Sequence, residues 1–487
     1  MNCQPPHMDL SKPQIDPPST PIRLALNADL SRLRAAYESD RRPIAATRRA
    51  WLWQLDALLR ENVREIGDAI AADFSHRSRH ETELLEIFPA LSAIQHARRH
   101  LAGWMKPKRS WASLWFLPAR NELRPQPLGV VGIIVPWNYP ILLAIAPLVG
   151  ALAAGNRAYI KMSEFTPRTG KLFADLVKIY FSHDQVVVVN GEADVAQAFS
   201  ALPFDHLVFT GSTAVGKQVM RAAAEHLTPV TLELGGKSPA LIGPDADIDA
   251  AAAKIMFGKC LNAGQTCIAP DYVLIPSGRE SEFIAAARAV VAKQYPTLAN
   301  NPDYTAIVNT RHVARLRGYL DEARAAGSVV TELNAANESL TATQKIAPTI
   351  VTGGVESLRL MQDEIFGPIL PLVPYRSLDE AIAFVNAHPR PLALYYFGHQ
   401  AAQIERVLDE TVAGGVSVNE TIMHISQEDL PFGGVGPSGM GAYHGKFGFD
   451  ALSKLKPIFH QSKFNGLALF KPPYGKRFDS LIKLLMK

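Results

Sequence analysis

The chain has 487 residues, of which 47% are hydrophobic and 20% charged, so it can bury the cores of two or three domains. Its formal net charge of +4 is too small for this length to indicate a nucleic-acid-binding surface. Three cysteines are too few for a disulfide framework or a tetrahedral zinc site, so we expect reduced thiols, a cytoplasmic location and no bound metal.

The first 21 residues are rich in proline and poor in apolar side chains, which predicts a disordered N-terminus. They lack the basic stretch and apolar run of a signal peptide. Residues 125–156 carry no charge, yet several prolines interrupt them. This pattern favours a buried strand, a turn and a helix over 141–154 that ends at Gly155, rather than a membrane span.

Two helical segments are predicted over residues 43–74 and 80–105, and after Arg120 short β-rich runs alternate with helical runs. This alternation is typical of parallel sheets with crossover helices. The predicted strands are 129–135, 157–161, 186–190, 206–209 and 230–234 in a first set, and 240–242, 272–275, 328–331, 369–373 and 415–418 in a second. Two sets in series predict an α/β fold of two domains with a ligand-binding cleft between them.

Cys267 lies among small and polar residues with a glycine before it and Pro270 after it, a context that predicts an exposed loop. Glu233 lies between two leucines, where burial would raise its pKa toward the range useful for proton transfer. The pair is a candidate nucleophile and base facing each other across the cleft. Most cysteines of intracellular enzymes are packing residues, and Cys260, on a helical pattern, is interpreted as one.

The segment Phe209–Lys217 turns from a strand into a helix and carries Gly211, Ser212 and Gly216. We expect Gly211 to allow a tight turn and Gly216 to allow close packing of the helix, whose first N–H groups could hold a phosphate. The spacing differs from the usual dinucleotide fingerprint, and a helix cap with two glycines explains it equally well.

Asn138 stands between two prolines at the end of a predicted strand. A rigid amide at this place could donate a hydrogen bond to a developing oxyanion. Asparagine is also common in ordinary turns, so the residue alone does not decide between these roles.

These segments resemble the aldehyde dehydrogenase superfamily. The matching blocks occur in the order of that superfamily and are Pro-Trp-Asn (136–138), Lys161 with Glu164, the loop of Gly211 and Gly216, Leu-Glu-Leu-Gly-Gly (232–236), Gly-Gln-Thr-Cys (264–267), Glu-Ile-Phe-Gly-Pro (364–368) and Pro-Phe-Gly-Gly (431–434). Segments 265–273 and 434–445 are similar to the class 3 branch. Within that branch the chain looks most like the coniferyl aldehyde dehydrogenases, including its Pro-Pro-Tyr-Gly segment at 472–475.

The resemblance implies a Rossmann-like cofactor domain, a second α/β catalytic domain and a small oligomerisation segment with a tail. The implied boundaries are 1–21 for the disordered N-terminus, 22–117 and 131–234 for the NAD-binding domain, 235–430 for the catalytic domain, 118–130 and 431–460 for the oligomerisation segment, and 461–487 for the C-terminal tail.

The resemblance also implies NAD(P)-dependent oxidation of an aldehyde to the carboxylic acid. Cys267 would attack the aldehyde to give a thiohemiacetal, while Asn138 and the Cys267 backbone N–H bind the oxyanion. Loss of a hydride to the nicotinamide would leave a thioester, and water activated by Glu233 would release the acid.

The cofactor-binding residues implied by the resemblance are Trp137, Lys161, Glu164, Gly211, Ser212, Gly216, Glu364 and Phe366. Lys161 and Glu164 match positions that hold the adenine ribose, and Glu364 matches the carboxylate that binds the nicotinamide ribose. The acidic Glu164 favours NAD, because a 2′-phosphate would meet a negative charge, and NADP is the alternative cofactor.

The resemblance points to an aromatic substrate such as coniferyl aldehyde, with medium- or long-chain aliphatic aldehydes as the alternative. A CoA-acylating enzyme would not need the base Glu233. A structural protein that keeps the fold would not need Cys267, Glu233 and Asn138 together. An esterase using the activated thiol without cofactor is a further alternative.

We expect a homodimer, because residues 119–129 resemble a protruding strand that pairs with a neighbouring subunit; a solvated loop is the alternative. In the tail, an amphipathic helix is predicted over 476–487. Its expected apolar side comprises Phe478, Leu481, Ile482, Leu484 and Leu485. We favour packing of the tail on the protein or its partner subunit, where it would cover the substrate tunnel. Membrane contact is the alternative, and it is less favoured because so short a helix buries little apolar area.

Overall fold

The structure of the chain is a computed structural model, which describes residues 20–113, 116–464 and 470–486. Its helices are α1 (Thr20–Ser39), α2 (Ala45–Glu61), α3 (Val63–Asp73), α4 (Arg79–Thr82), α5 (Phe88–Trp104), α6 (Leu142–Ala154), α7 (Pro167–Tyr180), α8 (Ala193–Ser200), α9 (Thr213–Ala224), α10 (Ile248–Cys260), α11 (Glu280–Gln294), α12 (Thr310–Ala325), α13 (Arg359–Gln362), α14 (Leu378–Ala387), α15 (Ala401–Glu410), α16 (Gly445–Ala451) and α17 (Lys476–Leu485). A π-helix, Glu83–Ile87, joins α4 to α5.

The strands are β1 (Lys108–Trp111), β2 (Arg120–Pro127), β3 (Val130–Ile134), β4 (Arg157–Lys161), β5 (Val186–Val189), β6 (His206–Thr210), β7 (Val230–Glu233), β8 (Pro239–Ile242), β9 (Tyr272–Pro276), β10 (Val329–Glu332), β11 (Thr349–Thr352), β12 (Ile369–Tyr375), β13 (Ala393–Phe397), β14 (Gly415–Val418), β15 (Gly439–Met440) and β16 (Ser453–His460).

The first sheet has the order β15-β7-β6-β3-β4-β5, in which β3 to β7 run parallel and β15 pairs antiparallel with β7. All five strands predicted in the first set are confirmed. Every residue of β3, β4 and β6 is buried, as expected when helices cover both faces of a parallel sheet. The carboxyl ends of β7, β6, β3 and β4 therefore meet at one edge.

The first part of the chain differs in detail from the prediction. The helix predicted over 43–74 breaks at Asn62, whose side chain donates to the Leu58 carbonyl (2.8 Å) and to Tyr180 Oη (3.2 Å). Residues 1–19 of the predicted disordered terminus lie outside the described residues. Thr20 and Pro21 begin α1 instead, since proline suits the first turn of a helix.

The second sheet has the order β10-β11-β12-β9-β8-β13-β14. Its five predicted strands are confirmed, with β10 displaced by one residue. The strands β11 and β13 were not predicted. All of β13 is buried between β8 and β14, so its sequence shows no alternation of apolar and polar residues from which a strand could be inferred.

A third, small sheet has the order β1-β2-β16. The prediction that residues 119–129 form a strand is confirmed by β2, and its pairing with a neighbouring subunit stays a prediction. Within one chain β2 is bonded to β1 along residues 120–123 and to β16 along residues 120–127. Among the described residues, β1 and β16 are the edge strands of this sheet.

The tail helix α17 contains no fully buried residue. Phe478 contacts the rings of Phe470 and Tyr474, whereas Leu484 is 61% exposed and therefore lies off the predicted apolar side. No helix within the described ranges has the length and apolar character that crossing a membrane requires.

Candidate active site

The candidate site lies where the carboxyl edge of the first sheet meets the second sheet. Glu233 is the last residue of β7, Thr210 ends β6, and Pro136–Asn138 follow β3. Side chains at the carboxyl ends of neighbouring parallel strands share one edge, which is where α/β folds bind ligands. Cys267 approaches from the loop between α10 and β9.

These residues surround a cavity of about 220 Å³. Its wall brings together most of the predicted site residues, namely Trp137, Asn138, Gly211, Ser212, Glu233, Cys267, Glu364 and Phe366. Lys161, Glu164 and Gly216 do not line it. Lys161 ends the neighbouring strand β4, where its Nζ donates to the Gly191 carbonyl (2.7 Å) and lies 3.6 Å from Glu164.

The backbone before Cys267 is strained. Asn262, Ala263 and Gly264 all have positive φ, of 51°, 51° and 74°. A Cβ on Gly264 would lie 2.3 Å from the Gly367 carbonyl oxygen, so only glycine fits there. Strain of this kind persists when its surroundings hold it, and it is common at reactive sites.

The prediction of an exposed loop around Cys267 is wrong. Residues 261–266 are buried, and the half-buried thiol is what faces the cavity. Burial of these residues is tolerated because the Gln265 side chain hydrogen-bonds to buried backbone groups. Its Nε2 donates to the Asn262 and Ala306 carbonyls (2.9 and 3.0 Å), and its Oε1 accepts from Val308 N–H (2.9 Å). Cys260 is fully buried in the second-sheet core, as predicted.

Asn138 is fixed beside the Cys267 loop. Its side chain is buried, and Nδ2 donates to the Gln265 carbonyl at 3.2 Å. Its backbone carbonyl accepts from Arg77 Nη1 (2.9 Å) and Asn262 Nδ2 (3.1 Å). Since an amide nitrogen has two hydrogens, the second can donate to a group bound at the thiol.

Two buried carboxylates on one short segment hold the two loops that carry Asn138 and Cys267. Glu86, in the π-helix, accepts from Arg77 (2.9 Å) and from the backbone N–H groups of Ile141 and Leu142 (2.7 and 3.2 Å).

Glu81, in α4, accepts from Asn262 N–H (3.1 Å) and Thr305 Oγ1 (2.6 Å). Removing one partner of the buried Arg77–Glu86 ion pair typically costs about 3–5 kcal/mol, because a charge is left unpaired. The relative position of the two loops thus depends on residues 81–86.

The electrostatics of the cavity favour neutral groups. Glu233 is 2% exposed, and no residue of the described part hydrogen-bonds to its carboxylate oxygens. Desolvation raises its pKa well above the ordinary value, as predicted from its apolar neighbours. Desolvation, reinforced by the charges of Glu364 and Glu233, also raises the pKa of the Cys267 thiol to about 12. The thiol is therefore protonated at neutral pH.

The rest of the cavity wall suits a dinucleotide. Ser212 caps α9, accepting from Val215 N–H (3.4 Å), and this capping residue lines the cavity at the start of the helix. A Cβ on Gly216 would lie 2.7 Å from Leu234, so the predicted close packing is confirmed. Gly211 does not have positive φ; it is required because a Cβ would lie 2.6 Å from the Phe209 ring.

The opposite wall carries Glu364 and Phe366. Burial, reinforced by the charge of Asp271, raises the pKa of Glu364 to about 8, and its Oε1 lacks a partner in the described ranges. Phe366 has a φ of 48° and packs edge-on against Trp137, with ring centroids 5.3 Å apart. An unpaired carboxylate oxygen beside an aromatic platform fits the ribose and ring of a nicotinamide nucleotide.

Sequence reasoning missed His312 and Arg315, which line the same cavity from α12. The His312 ring lies 5.3 Å from that of Trp137, and desolvation lowers its pKa to about 4. Their helix has several basic residues and looks in sequence like a solvated surface helix, so no signal marked them. Asn262 and Gln265 were also missed, because polar residues in an apparent loop are expected to face solvent.

This geometry is that of an aldehyde dehydrogenase: the model of the aldehyde dehydrogenase family matches residues 27–458, and the chain belongs to that family. It is accordingly an NAD(P)-dependent aldehyde oxidoreductase.

The relatives to which the chain is similar include bacterial and animal proteins. A Pseudomonas aeruginosa protein named probable coniferyl aldehyde dehydrogenase is 53% identical, over 94% of this chain and 95% of its own. Coniferyl aldehyde dehydrogenase of Pseudomonas sp. is 48% identical, over 88% and 90%. Aldehyde dehydrogenase family 3 member A2 of Macaca fascicularis is 43% identical, over 90% and 88%, in agreement with the class 3 resemblance.

Solved structures share the fold. A substrate-bound Staphylococcus aureus AldH has a TM-score of 0.90 at 37% identity, covering 95% of this chain and 99% of its own. A Mycobacterium tuberculosis aldehyde dehydrogenase complexed with NAD⁺ has a TM-score of 0.80 at 27% identity, covering 90% of each chain.

The raised thiol pKa gives a prediction for the enzyme without its cofactor. Alkylation of Cys267 by iodoacetamide should rise about tenfold per pH unit between roughly pH 7 and pH 10, without a plateau, because the thiolate remains a minor form throughout. Mass spectrometry of the labelled peptide measures this rate, and Cys260, buried and with its pKa also raised to about 12, should stay unlabelled. A plateau near the pKa of a free thiol would contradict the desolvated site.

Proposed function

We propose that this aldehyde dehydrogenase oxidises aromatic aldehydes to carboxylic acids, with NAD as the preferred cofactor. The convergence of Cys267, Glu233 and Asn138 on one cavity is the observation that supports the chemistry. The names of the similar relatives support the aromatic substrate. A second cavity of about 250 Å³ with largely apolar walls, one of which is Tyr443, supports a bulky hydrophobic substrate.

In the proposed mechanism the Cys267 sulfur attacks the carbonyl carbon and forms a C–S bond. The oxyanion that develops is bound by the second N–H of Asn138 and by the Cys267 backbone N–H. Because the thiol pKa is high, its proton must leave as the sulfur attacks, and Glu233 is the desolvated base facing the same cavity. When bound, NAD(P) supplies the hydride acceptor.

Hydrolysis completes the cycle. The thioester carbonyl lies in the same oxyanion site. Glu233 first releases the proton of the thiol to solvent and then takes a proton from the attacking water. The C–S bond then breaks, the carboxylic acid leaves, and Glu233 returns its proton to the Cys267 sulfur. Glu233 suits this role because no other described residue hydrogen-bonds to its carboxylate oxygens, which leaves their acceptor capacity unused.

The preference for NAD is supported by the charges around Lys161. Burial lowers the Lys161 pKa, and the carboxylates of Glu164, Glu192 and Asp194 act in the opposite direction. These three carboxylates lie where the adenine ribose is proposed to bind. A 2′-phosphate would be repelled there, whereas a ribose hydroxyl could donate to a carboxylate.

The substrate proposal is tested by steady-state kinetics. The purified enzyme should oxidise coniferyl aldehyde and cinnamaldehyde with a kcat/KM at least about tenfold above that for hexanal, since similar relatives are named coniferyl aldehyde dehydrogenases. The kcat/KM with NAD should exceed that with NADP. NADH absorbance is the measurement, and a preference for hexanal would reject the aromatic class in favour of aliphatic aldehydes.

Glu233→Gln should reduce turnover about 10²–10⁴-fold, because hydrolysis of the thioester loses its base. Attack by the thiol loses the same base, so the burst of NADH should form more slowly than in wild type but still faster than the steady state. Rapid-mixing absorbance separates the burst from the steady state. Glu225→Gln, an exposed glutamate at the end of α9, is the matched control and should behave as wild type. An unchanged steady-state rate in Glu233→Gln would contradict the role.

We further propose a homodimer that uses the outer edge of β16. Support comes from large apolar side chains exposed on this small sheet, with Leu455 39% and Phe459 51% exposed. Wild type should show twice the chain mass by light scattering at micromolar concentration, and the double variant Leu455→Asp, Phe459→Asp should be monomeric. Leu24→Asp, on exposed α1, is the control. A wild-type monomer would refute the proposal.

A further inference from the structure

The second cavity reaches the surface. Its volume is about 250 Å³, and its walls come from the π-helix and α5, the start of α6, the end of α10, residues 422–428, and Tyr443 and His444 before α16. The walls are mainly apolar, with Leu84, Phe88, Leu142, Phe257, Ile422 and Met423 contributing large side chains. Leu84 and Phe88 are 52% and 62% exposed, so they mark the mouth.

Tyr443 links this cavity to the reactive groups. It lines the cavity, its hydroxyl is buried, and that hydroxyl has no partner among the residues the structure describes. Burial raises its pKa, and the charges of Glu233, Cys267 and Glu428 act in the same direction. Tyr443 is therefore within electrostatic range of all three groups. In the proposed function, a substrate whose carbonyl carbon lies at Cys267 extends past Tyr443 into the second cavity.

A polar pair interrupts the apolar wall beyond Tyr443. Glu428 is half-buried and accepts a hydrogen bond from Gly445 N–H at 3.2 Å. Burial raises its pKa to about 7, and the charge of Asp429 adds to the effect. Ser92 and Ser426 are the other polar side chains of the wall. A carboxylate in such a wall retains acceptor capacity that one backbone N–H does not exhaust.

His444 is the second member of the pair. Its backbone has a φ of 96°, which is rare for a residue other than glycine, and its ring is stacked on Phe432 with centroids 5.4 Å apart. The buried Nδ1 has no hydrogen-bond partner within the described part of the chain. Burial lowers the His444 pKa to about 4, so the ring is neutral and can donate or accept.

We propose that Glu428 and His444 determine specificity by binding the ring hydroxyl of a phenolic aldehyde. The hydroxyl donates to the Glu428 carboxylate, and its oxygen accepts a hydrogen bond from the ring N–H of His444. A phenol offers one donor and one acceptor, which matches this pair, whereas an alkyl chain offers neither. The proposal rests on the aromatic substrate class proposed above and adds to it a requirement for a hydroxyl group.

The test compares two aldehydes that differ only in that hydroxyl, 4-hydroxycinnamaldehyde and cinnamaldehyde, with hexanal as a third substrate. In wild type the kcat/KM ratio of the phenolic to the unsubstituted aldehyde should be about 10- to 100-fold, the effect of one hydrogen bond to a charged acceptor. Glu428→Gln keeps an acceptor for Gly445 N–H but removes the charge, and should lower this ratio about tenfold.

His444→Asn should also lower the ratio, because asparagine tolerates positive φ but removes the ring. Asp429→Asn, whose side chain is 93% exposed in the wild type, removes a neighbouring charge and should leave the ratio unchanged. A purely structural role for Glu428 would lower kcat/KM for both aromatic aldehydes and leave their ratio intact.

The outcomes separate this proposal from the proposed function. If wild type oxidises both aromatic aldehydes equally well, or if Glu428→Gln retains the wild-type ratio, hydroxyl recognition is refuted while aromatic oxidation stands. If wild type oxidises hexanal but neither aromatic aldehyde, both the proposed aromatic function and the proposed hydroxyl-binding site are refuted.

Discussion

The site depends on the two buried carboxylates of residues 81–86. Glu81 holds the loop that carries Cys267, and Glu86 holds the loop that carries Asn138. The Asn138 loop borders the first sheet and the Cys267 loop borders the second. Hydrogen bonds within either sheet therefore do not set the distance between the two loops. The carboxylates supply part of the link between the loops, together with the direct hydrogen bonds from Asn138 to Gln265 and from Asn262 to Asn138.

The π-helix is part of this arrangement. In a regular α-helix, side chains five residues apart differ in direction by about 140°. The wider turn of Glu83–Ile87 brings Glu86 closer to the side of the helix on which Glu81 lies, so that both carboxylates can face the site. The local irregularity is thus the means by which one short segment reaches both halves of the site.

Much of the fold was predictable from the sequence. The predicted strands of the first sheet are present because β-rich runs bounded by turns are a strong local signal, and Glu233 was placed correctly at the end of one of them. Its desolvation was predictable too, since the apolar neighbours are adjacent in sequence. The resemblance of ordered blocks then identified the family.

Other features were not predictable because they arise from distant contacts. The Cys267 loop looks exposed until Gln265 is seen to bond Ala306 and Val308, which are far along the chain. The role of β2 within its own chain required knowledge of β16, and His312 required knowledge of where α12 packs. Burial of polar residues is decided by partners that no local pattern reveals.

The high pKa of Cys267 has a consequence for the resting enzyme. Peroxides and other oxidants react with thiolates, and oxidation beyond the sulfenic acid is irreversible for most proteins. A thiol kept protonated by burial and by neighbouring carboxylates is a poor target. The desolvation that keeps the Cys267 thiol protonated before substrates bind is therefore expected to slow chemical inactivation of the enzyme between turnovers.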